Sequence, residues 1–324
     1  MEKSEAAIGV NVFWTIPTNK VAVADVKEAA AKHGFDAEDI KEPSDRKVFS
    51  RASKALNNGQ QRRLVRRISD APGKSTVIGI VDESVEAGSE QLEYTQSTTV
   101  RFDKTDSTVN ADGSLASEFL DEFEGLKGVL THQDFRRFVR RTVRECNGIP
   151  KRPSGGIYFI PTENIGMIER CAEMYNELGV GTIYVERIFD GPQERRIVWE
   201  SAEGEINKMV DSLLSKVSKI EKRAGAMKGQ SARMAELQNM MTVYTKITGS
   251  AAEAEAISER LEEATAIVAS KMSDLQTMAD AKSETKQAAK EERKAAKAAD
   301  KAETAAVKKA AKKMTKKEEA EAAA

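Results

Sequence analysis

The chain has 324 residues and a formal net charge of −1, because 52 acidic residues offset 51 Lys and Arg. This balance excludes nucleic-acid binding driven by whole-molecule charge, so any polyanion site must be a local basic patch. Two cysteines are too few for a secreted disulfide scaffold, and no apolar run approaches the roughly 18 residues of a membrane-spanning helix. The acidic N-terminus has no apolar core of the signal-peptide kind, so we expect a cytoplasmic protein that does not bind membranes.

The distribution of aromatic residues predicts an α+β fold class with four regions. Only Tyr244 is aromatic after Trp199, so a packed α+β core fits the first part of the chain and Ala-, Glu-, Lys- and Met-rich helices fit the rest. The predicted regions are two small α+β domains at 1–104 and 115–200, a long coiled-coil-like region or helical hairpin at 201–279, and an Ala/Lys/Glu-rich tail at 280–324.

In the first predicted domain, residues 8–16 form a buried strand that Pro17 ends, and two helices follow. Three β-rich runs come next and indicate an antiparallel meander packed on those two helices. The predicted helices span 21–33 and 46–56, and the β-rich runs span 61–68, 75–82 and 91–102.

A polar, turn-rich segment at 105–114 marks the predicted boundary of the second domain. Two helices are expected after this segment, and a compact β-α-β unit follows them. The predicted helices span 117–126 and 132–146, and the β-α-β unit has a strand at 156–160, a helix at 162–178 and a strand at 182–189.

Beyond residue 200, apolar residues recur at alternating steps of four and three, which is the spacing of a coiled-coil seam. Gly249 separates two such seams, so either a hairpin turns at Gly249 or the helices associate between chains. Self-association would use the first seam, formed by Ile206, Val210, Leu213, Val217 and Ile220. From residue 281 the periodicity ends, and 16 Ala with 13 Lys or Arg against eight acids predict a disordered or transiently helical, mildly basic tail.

The densest basic segment is the predicted helix at 132–146 with its following loop, where seven Arg and Lys occur with two acids within 22 residues. Because the planar guanidinium fork of arginine matches phosphate oxygens, this segment is a candidate contact to DNA or RNA. The alternative is a solvated amphipathic helix whose arginines pair with acids elsewhere. Helical spacing aligns Arg136, Arg140 and Arg144 in one line and Arg137 and Arg141 in a second, and Lys151 and Arg152 follow on the loop.

A second basic group, at 62–67, lies in a predicted strand. Strand alternation places Arg63 and Arg67 on one face, and these two would extend a nucleic-acid surface if they shared a groove with the arginine helix. A charged edge strand that resists aggregation is the simpler interpretation.

Tyr158 and Phe159 point to opposite faces of the strand at 156–160. One of the two rings is a candidate for base stacking, although core packing is the favoured interpretation. Gly155 and Gly156 precede the strand instead of following one, so they indicate a tight turn and not a phosphate-binding P-loop.

Catalytic signatures are absent from the sequence. His33 and His132 are the only histidines, and neither belongs to a metal-binding motif. The acids Glu163, Glu169, Glu186 and Asp190 have no diagnostic spacing. We therefore expect a protein that is not an enzyme and that holds no metal or cofactor.

Two pairs of segments together resemble an uncharacterised family of bacteriophage and prophage proteins. The first pair is KVFSRASKAL with QRRLVRRISD, and the second is FRRFVRRTVREC with KRPSGGIYFIP. The shared elements are an F-x-R-A helix, a basic strand and an R-x-x-GG-x-Y-F-x-P element, within residues 8–220. The resemblance implies a phage or mobile-element origin and supplies no catalytic residue.

These observations lead to two hypotheses. In the first, a non-enzymatic phage-type protein binds DNA or RNA through the arginine helix, and the basic tail adds salt-sensitive affinity. In the second, a structural or interaction protein oligomerises through the coiled-coil seam. The two are compatible, because oligomers bind polymers with higher avidity.

Overall fold

The computed structural model describes residues 7–57, 62–85, 92–220 and 224–278, with single residues at 281, 285 and 287. The chain divides into two compact units, one ending at Ser201 and the other beginning at Ala202. Helices and several small sheets are both present, so the predicted α+β class is confirmed. Nearly all of the predicted tail at 280–324 lies outside the described residues.

The first unit contains both helices and strands. In chain order they are β1 (Ala7–Thr15), β2 (Lys20–Ala22), α1 (Val23–Lys32), α2 (Asp45–Ala55), β3 (Arg63–Asp70), β4 (Ser75–Val85), β5 (Leu92–Asp103), β6 (Val109–Gly113), α3 (Ala116–Gly125), β7 (Val129–Thr131), α4 (His132–Glu145), β8 (Ile149–Pro150), β9 (Tyr158–Pro161), α5 (Ile165–Glu177) and β10 (Thr182–Phe189). α6 (Pro192–Ser218) runs into the second unit, which continues with α7 (Ala224–Thr248) and a helix at 251–278, named α8.

The first body of this unit is a four-stranded antiparallel sheet with the order β10-β1-β9-β8. Its apolar core joins β1, β9 and β10 to the buried sides of α1, α4 and α5. Among the sheet strands taken in chain order, the spatial order is fourth, first, third, second. Together with the helices that cross between strands, this is the split β-α-β topology of ferredoxin-like folds.

Alternation along β1 gives the sheet two different faces. Val10 and Val12 are fully buried in the core that the helices complete, and Gly9 lies on the opposite face. A Cβ at Gly9 would lie 2.4 Å from Cζ of Phe159 and 2.3 Å from the carbonyl oxygen of Ile160. Only glycine therefore allows the Phe159 ring to cover β1.

The second body is inserted between α1 and β7. The three predicted β-rich runs form β3, β4 and β5 of an antiparallel meander, and β6 adds a fourth strand in the order β3-β4-β5-β6. The meander packs on α2 as predicted but on α3 instead of α1, and Phe49 stacks on Phe102 with ring centroids 5.2 Å apart and contacts Phe119 at 5.6 Å. The short strand β7, which follows the insertion, pairs with β2, which precedes α1.

The predicted domain boundary at 105–114 is wrong. Residues 109–113 form β6, which pairs with β5, so the polar segment is a hairpin at the edge of the inserted sheet. β1 pairs with both β9 and β10, which joins the two predicted domains into one sheet. For the same reason the strands of the predicted β-α-β unit are not neighbours, because β1 lies between them.

The second unit contains the helical hairpin, one of the two arrangements that the heptads allowed. Gly249 has a positive φ of 71° and ends α7. Gln238 donates to Thr265 at 3.3 Å, and Ser231 contacts the Met272 sulfur at 3.6 Å, so positions on α7 and α8 pair with a constant sum, as antiparallel helices require. Arg260 on α8 donates to Asn207 on α6 at 2.5 Å, which adds α6 to the hairpin.

The residues predicted for oligomerisation are used within this helical unit. Ile206, Val210 and Leu213 are fully buried and Val217 is nearly so, within a single chain, while Ile220 is half-buried just after α6. These residues therefore pack α6 in the same chain as α7 and α8, and their use in self-association stays a prediction. Among the described helices, none is both long and apolar enough to cross a membrane.

Replacing Gly9 by Ala is expected to destabilise the first unit by about 1–3 kcal/mol, because the new methyl group overlaps the Phe159 ring and a strand carbonyl. Urea unfolding followed by tryptophan fluorescence measures this change. Gly125→Ala is the control, since a Cβ at this exposed helix end meets no atom within 4 Å. Equal stability of the two variants would contradict the close packing assigned to Gly9.

Candidate nucleic-acid interface

The arginine helix predicted at 132–146 is α4, and its first turn is fixed by Asp134. The Thr131 backbone N–H donates to the Asp134 carboxylate at 3.0 Å, and the Thr131 side chain accepts from the Asp134 backbone N–H, which together form a capping box. Phe135, Val139 and Val143 then repeat at steps of four and are buried in the core of the first body. The opposite side of α4 carries the arginines.

Asp134 also joins α4 to the inserted body. Lys47 of α2 donates to its carboxylate at 2.8 Å, Arg51 pairs with it, and Arg137 lies at 3.4 Å. Burial raises the pKa of Asp134, but the hydrogen bonds from Lys47, the Thr131 N–H and Arg51 outweigh it, so the pKa lies below its usual value. Asp134 is therefore ionised at neutral pH and clamps the two bodies together.

One line of arginines on α4 already has protein partners. Arg137 pairs with Asp134, and its side chain remains 66% exposed. Arg141 pairs with Asp39 at 3.3 Å and lies over the Phe138 ring at 5.1 Å. These contacts agree with the alternative in which arginines pair with acids, and they hold this line against the body of the protein.

The other line, Arg136, Arg140 and Arg144, is different. Arg136 donates to the carbonyl of Ile16 at 3.1 Å. Arg140 and Arg144 are exposed, and among the described residues neither guanidinium has a hydrogen-bond or ion-pair partner. Their side chains leave the same side of the helix about 6 Å apart along the axis. They are therefore the two arginines of α4 whose side chains have no partner among the described residues.

The loop after α4 contributes one free cation and one that is internally held. Arg152 donates to the carbonyl of Gly155 at 2.6 Å, and the positive φ of Gly155 and Gly156 folds the turn around this guanidinium. Lys151 is half-buried just after β8, and its ammonium has no hydrogen-bond or ion-pair partner among the described residues. The tight entry turn is thus present, and Lys151 is the freer of the two basic residues.

The second basic group belongs to the inserted sheet, where β3 is an edge strand as the simpler interpretation predicted. Arg63 is only 14% exposed and pairs with Glu118 at 3.1 Å and Asp82 at 3.6 Å. Arg67 is largely exposed and pairs with Asp70 at 3.4 Å. Both arginines neutralise acids of their own body, so neither is a free cation.

Aromatic residues on the first sheet fall on both faces. Tyr158 stacks on Trp14 at 5.2 Å and Phe159 is fully buried, so both pack in the protein as the favoured interpretation expected. The sequence analysis missed Phe13 and Tyr184, whose rings stack at 4.8 Å on the face opposite the three helices. Period-two alternation gives the face of its own strand on which each ring lies. It does not reveal that the two strands are neighbours in the sheet.

The described residues offer no reactive centre. Burial raises the pKa of Cys146 to about 11 and that of Cys171 to about 12, so neither thiol is a thiolate at neutral pH. Within the described ranges, no three His, Cys, Asp or Glu side chains converge in a way that would hold a metal ion.

Comparison with known proteins gives one match. The model of a family of unknown function (DUF6744) matches residues 7–291. No curated protein and no solved structure matches the chain. The family match spans the first unit and the described helices of the second, so it extends beyond the segment at 8–220 on which the motif resemblance rests.

Proposed function

Since the chain belongs to DUF6744, a family of unknown function, we propose from its geometry that it is a non-enzymatic protein that binds DNA or RNA along α4. Arg140 and Arg144 contact backbone phosphates, and Lys151 adds a third cation near the end of the helix. The resemblance of the basic segments to phage and prophage proteins supports a role in phage or mobile-element biology.

The single observation that carries the proposal is the contrast between the two lines of arginines. Arg137 and Arg141 have acidic partners within the protein, whereas Arg140 and Arg144 have none among the described residues. An exposed guanidinium without an acid keeps its five donors for phosphate oxygens. Because phosphate contacts carry no sequence information, we expect binding with little sequence preference.

The second function from the sequence is assembly through the coiled-coil seam, of which Ile206, Val210, Leu213 and Val217 are buried within one chain. Self-association stays a prediction that the solution mass of the purified protein tests. It is not needed for the proposed interface, whose two arginines lie on a single helix.

The test is binding of the full chain to labelled single- and double-stranded DNA and RNA. Changing Arg140 and Arg144 together to Ala is expected to weaken binding at least tenfold, since each change removes a charged hydrogen bond worth about 1.5–3 kcal/mol. Arg195→Ala with Arg196→Ala is the control, because it also removes two positive charges but at exposed positions near the start of α6. An equal loss in both double variants, or no binding by the wild type at low salt, would refute the proposal.

A further inference from the structure

A cavity of about 510 Å³ lies within the first unit, between the first body and the inserted body. Its walls come from α1, α4 and α5 on one side and from residues 39–47 on the other. The volume is in the range of small-molecule sites, which span roughly 300–1,000 Å³. Arg137 and Arg141 line it, whereas Arg140 and Arg144 do not, so it is separate from the interface proposed above.

The floor of the cavity is apolar and well ordered by packing. Phe138 is fixed from two directions, by the edge of the Phe35 ring at 5.4 Å and by the Arg141 guanidinium at 5.1 Å over its face. A planar ring entering the cavity would find flat and branched apolar surfaces to pack on. The apolar lining consists of Val26, Ile40, Leu130, Phe135, Phe138 and Met174.

Among the residues that line the cavity, basic side chains outnumber acidic ones. The lining has four cations, Lys41, Lys47, Arg137 and Arg141, and three acids, Asp39, Glu42 and Asp134. Asp134 alone is shared by Lys47, Arg137 and the neighbouring Arg51, so two positive charges at this point are not neutralised by it.

Nε of Arg141, which lines the cavity, is buried without a hydrogen-bond acceptor among the described residues, although it lies 3.7 Å from the Glu145 carboxylate in an ion pair. A buried donor without a hydrogen bond is costly, and an anion in the cavity beside Arg141 would satisfy it. Ser44, at the start of α2, also lines the cavity, so the positive end of that helix adds to the attraction.

We infer that this cavity binds a nucleoside monophosphate unit, either as a free nucleotide or as the 5′-phosphorylated end of a strand. The base packs on Phe138 and the other apolar residues of the floor. The phosphate accepts hydrogen bonds from Arg137, Arg141 and Lys47. The Arg137 guanidinium remains accessible to a phosphate, because its side chain is 66% exposed while it pairs with Asp134 at 3.4 Å.

The inference is tested by calorimetry on the full chain with AMP and GMP, with adenosine as the probe without phosphate and ribose 5-phosphate as the probe without a base. AMP or GMP should bind at least about tenfold more tightly than adenosine or ribose 5-phosphate. The phosphate contributes charged hydrogen bonds and the base contributes a ring contact, and each partial probe lacks one of the two. A pentanucleotide with a 5′-phosphate, compared with its 5′-hydroxyl form, distinguishes the strand end from the free nucleotide as the preferred source.

Two double variants separate the cavity from the outer face of α4. Arg137→Ala with Arg141→Lys keeps a charge over Phe138 and should weaken nucleotide binding about tenfold or more. Arg140→Ala with Arg144→Ala should change nucleotide binding less than about twofold and should weaken the binding of long strands. The cavity variant, Arg137→Ala with Arg141→Lys, should keep most of the binding to long strands. No nucleotide binding by the wild type, or equal loss in both variants with unchanged melting temperature, would overturn the inference and leave the outer interface untouched.

Discussion

Replacing Leu213 by Asp is expected to unfold the helical unit that begins at Ala202. Leu213 is fully buried where α6 packs in this unit, so a carboxylate at this position is removed from water. The cost is about 4 kcal/mol or more, because burying an unpaired charge adds to the loss of a leucine side chain. Circular dichroism should show a lower helix content and an earlier thermal transition.

The control is Ser212→Asp, which places the same charge on the exposed side of α6. It should leave the helix content and the melting temperature nearly unchanged, within about 0.5 kcal/mol. If Leu213→Asp instead kept its helix content and halved the solution mass, the residue would lie between subunits and the intrachain bundle would be wrong.

The second large effect is expected at Asp134. Changing it to Ala removes the carboxylate that Lys47, Arg51 and Arg137 share, and Arg51, which is only 11% exposed, is left without an acid. Breaking such a partly buried network costs about 3 kcal/mol, and loss of the capping box adds about 1 kcal/mol. Chemical unfolding measures the sum, with Asp39→Ala, the exposed partner of Arg141, as a control expected to cost under about 1 kcal/mol.

Asp134 also gives the stability a pH dependence of known sign. Its pKa in the folded chain lies below the ordinary value near 3.9, so the unfolded chain binds more protons at acidic pH. The stabilisation is present above about pH 4 and is lost as the pH falls through the folded pKa. Asp134→Asn should therefore lose less stability than the wild type between about pH 5 and pH 2. If the free energy of unfolding fell equally with pH in the wild type and in Asp134→Asn, Asp134 would not be the source of the pH dependence.

Individual helices and the meander could be predicted from the sequence, because apolar spacing and turn residues within each segment determine them. The helices α1, α2, α4 and α5 follow from apolar spacing. Gly34, Gly179 and Gly249 have positive φ at or just beyond helix ends, where an L side chain would be strained. The meander followed from β-rich runs separated by turns. In each case the deciding residues lie within one turn or one hairpin of each other.

Strand pairing across the chain could not be predicted in this way. β1 looked like a strand, but its neighbours β9 and β10 are more than 140 residues away, and nothing in an apolar run of nine residues specifies a partner. The domain boundary failed for the same reason, since the polar segment at 105–114 reads as a linker until β6 is seen to pair with β5.

The candidate site shows the same limit. The spacing of the arginines correctly gave two lines on one helix, and the Thr131–Asp134 capping box is a local pattern. Which line of arginines has acidic partners depends on Asp39 and on the contacts of Asp134. Two residues that contact Asp134, Lys47 and Arg51, lie 87 and 83 residues away from it in sequence. Only the fold separates the paired arginines from Arg140 and Arg144.

The salt dependence of binding tests the central claim most directly. Each phosphate contact contributes about −0.9 to the slope of log K against log salt concentration for double-stranded DNA, and about −0.7 for single strands. Arg140→Ala with Arg144→Ala should therefore make the slope less steep by about 1.4–1.8 units, while the Arg195→Ala, Arg196→Ala control keeps the wild-type slope. Parallel lines for the wild type and the α4 variant would show that these arginines do not contact the nucleic-acid backbone.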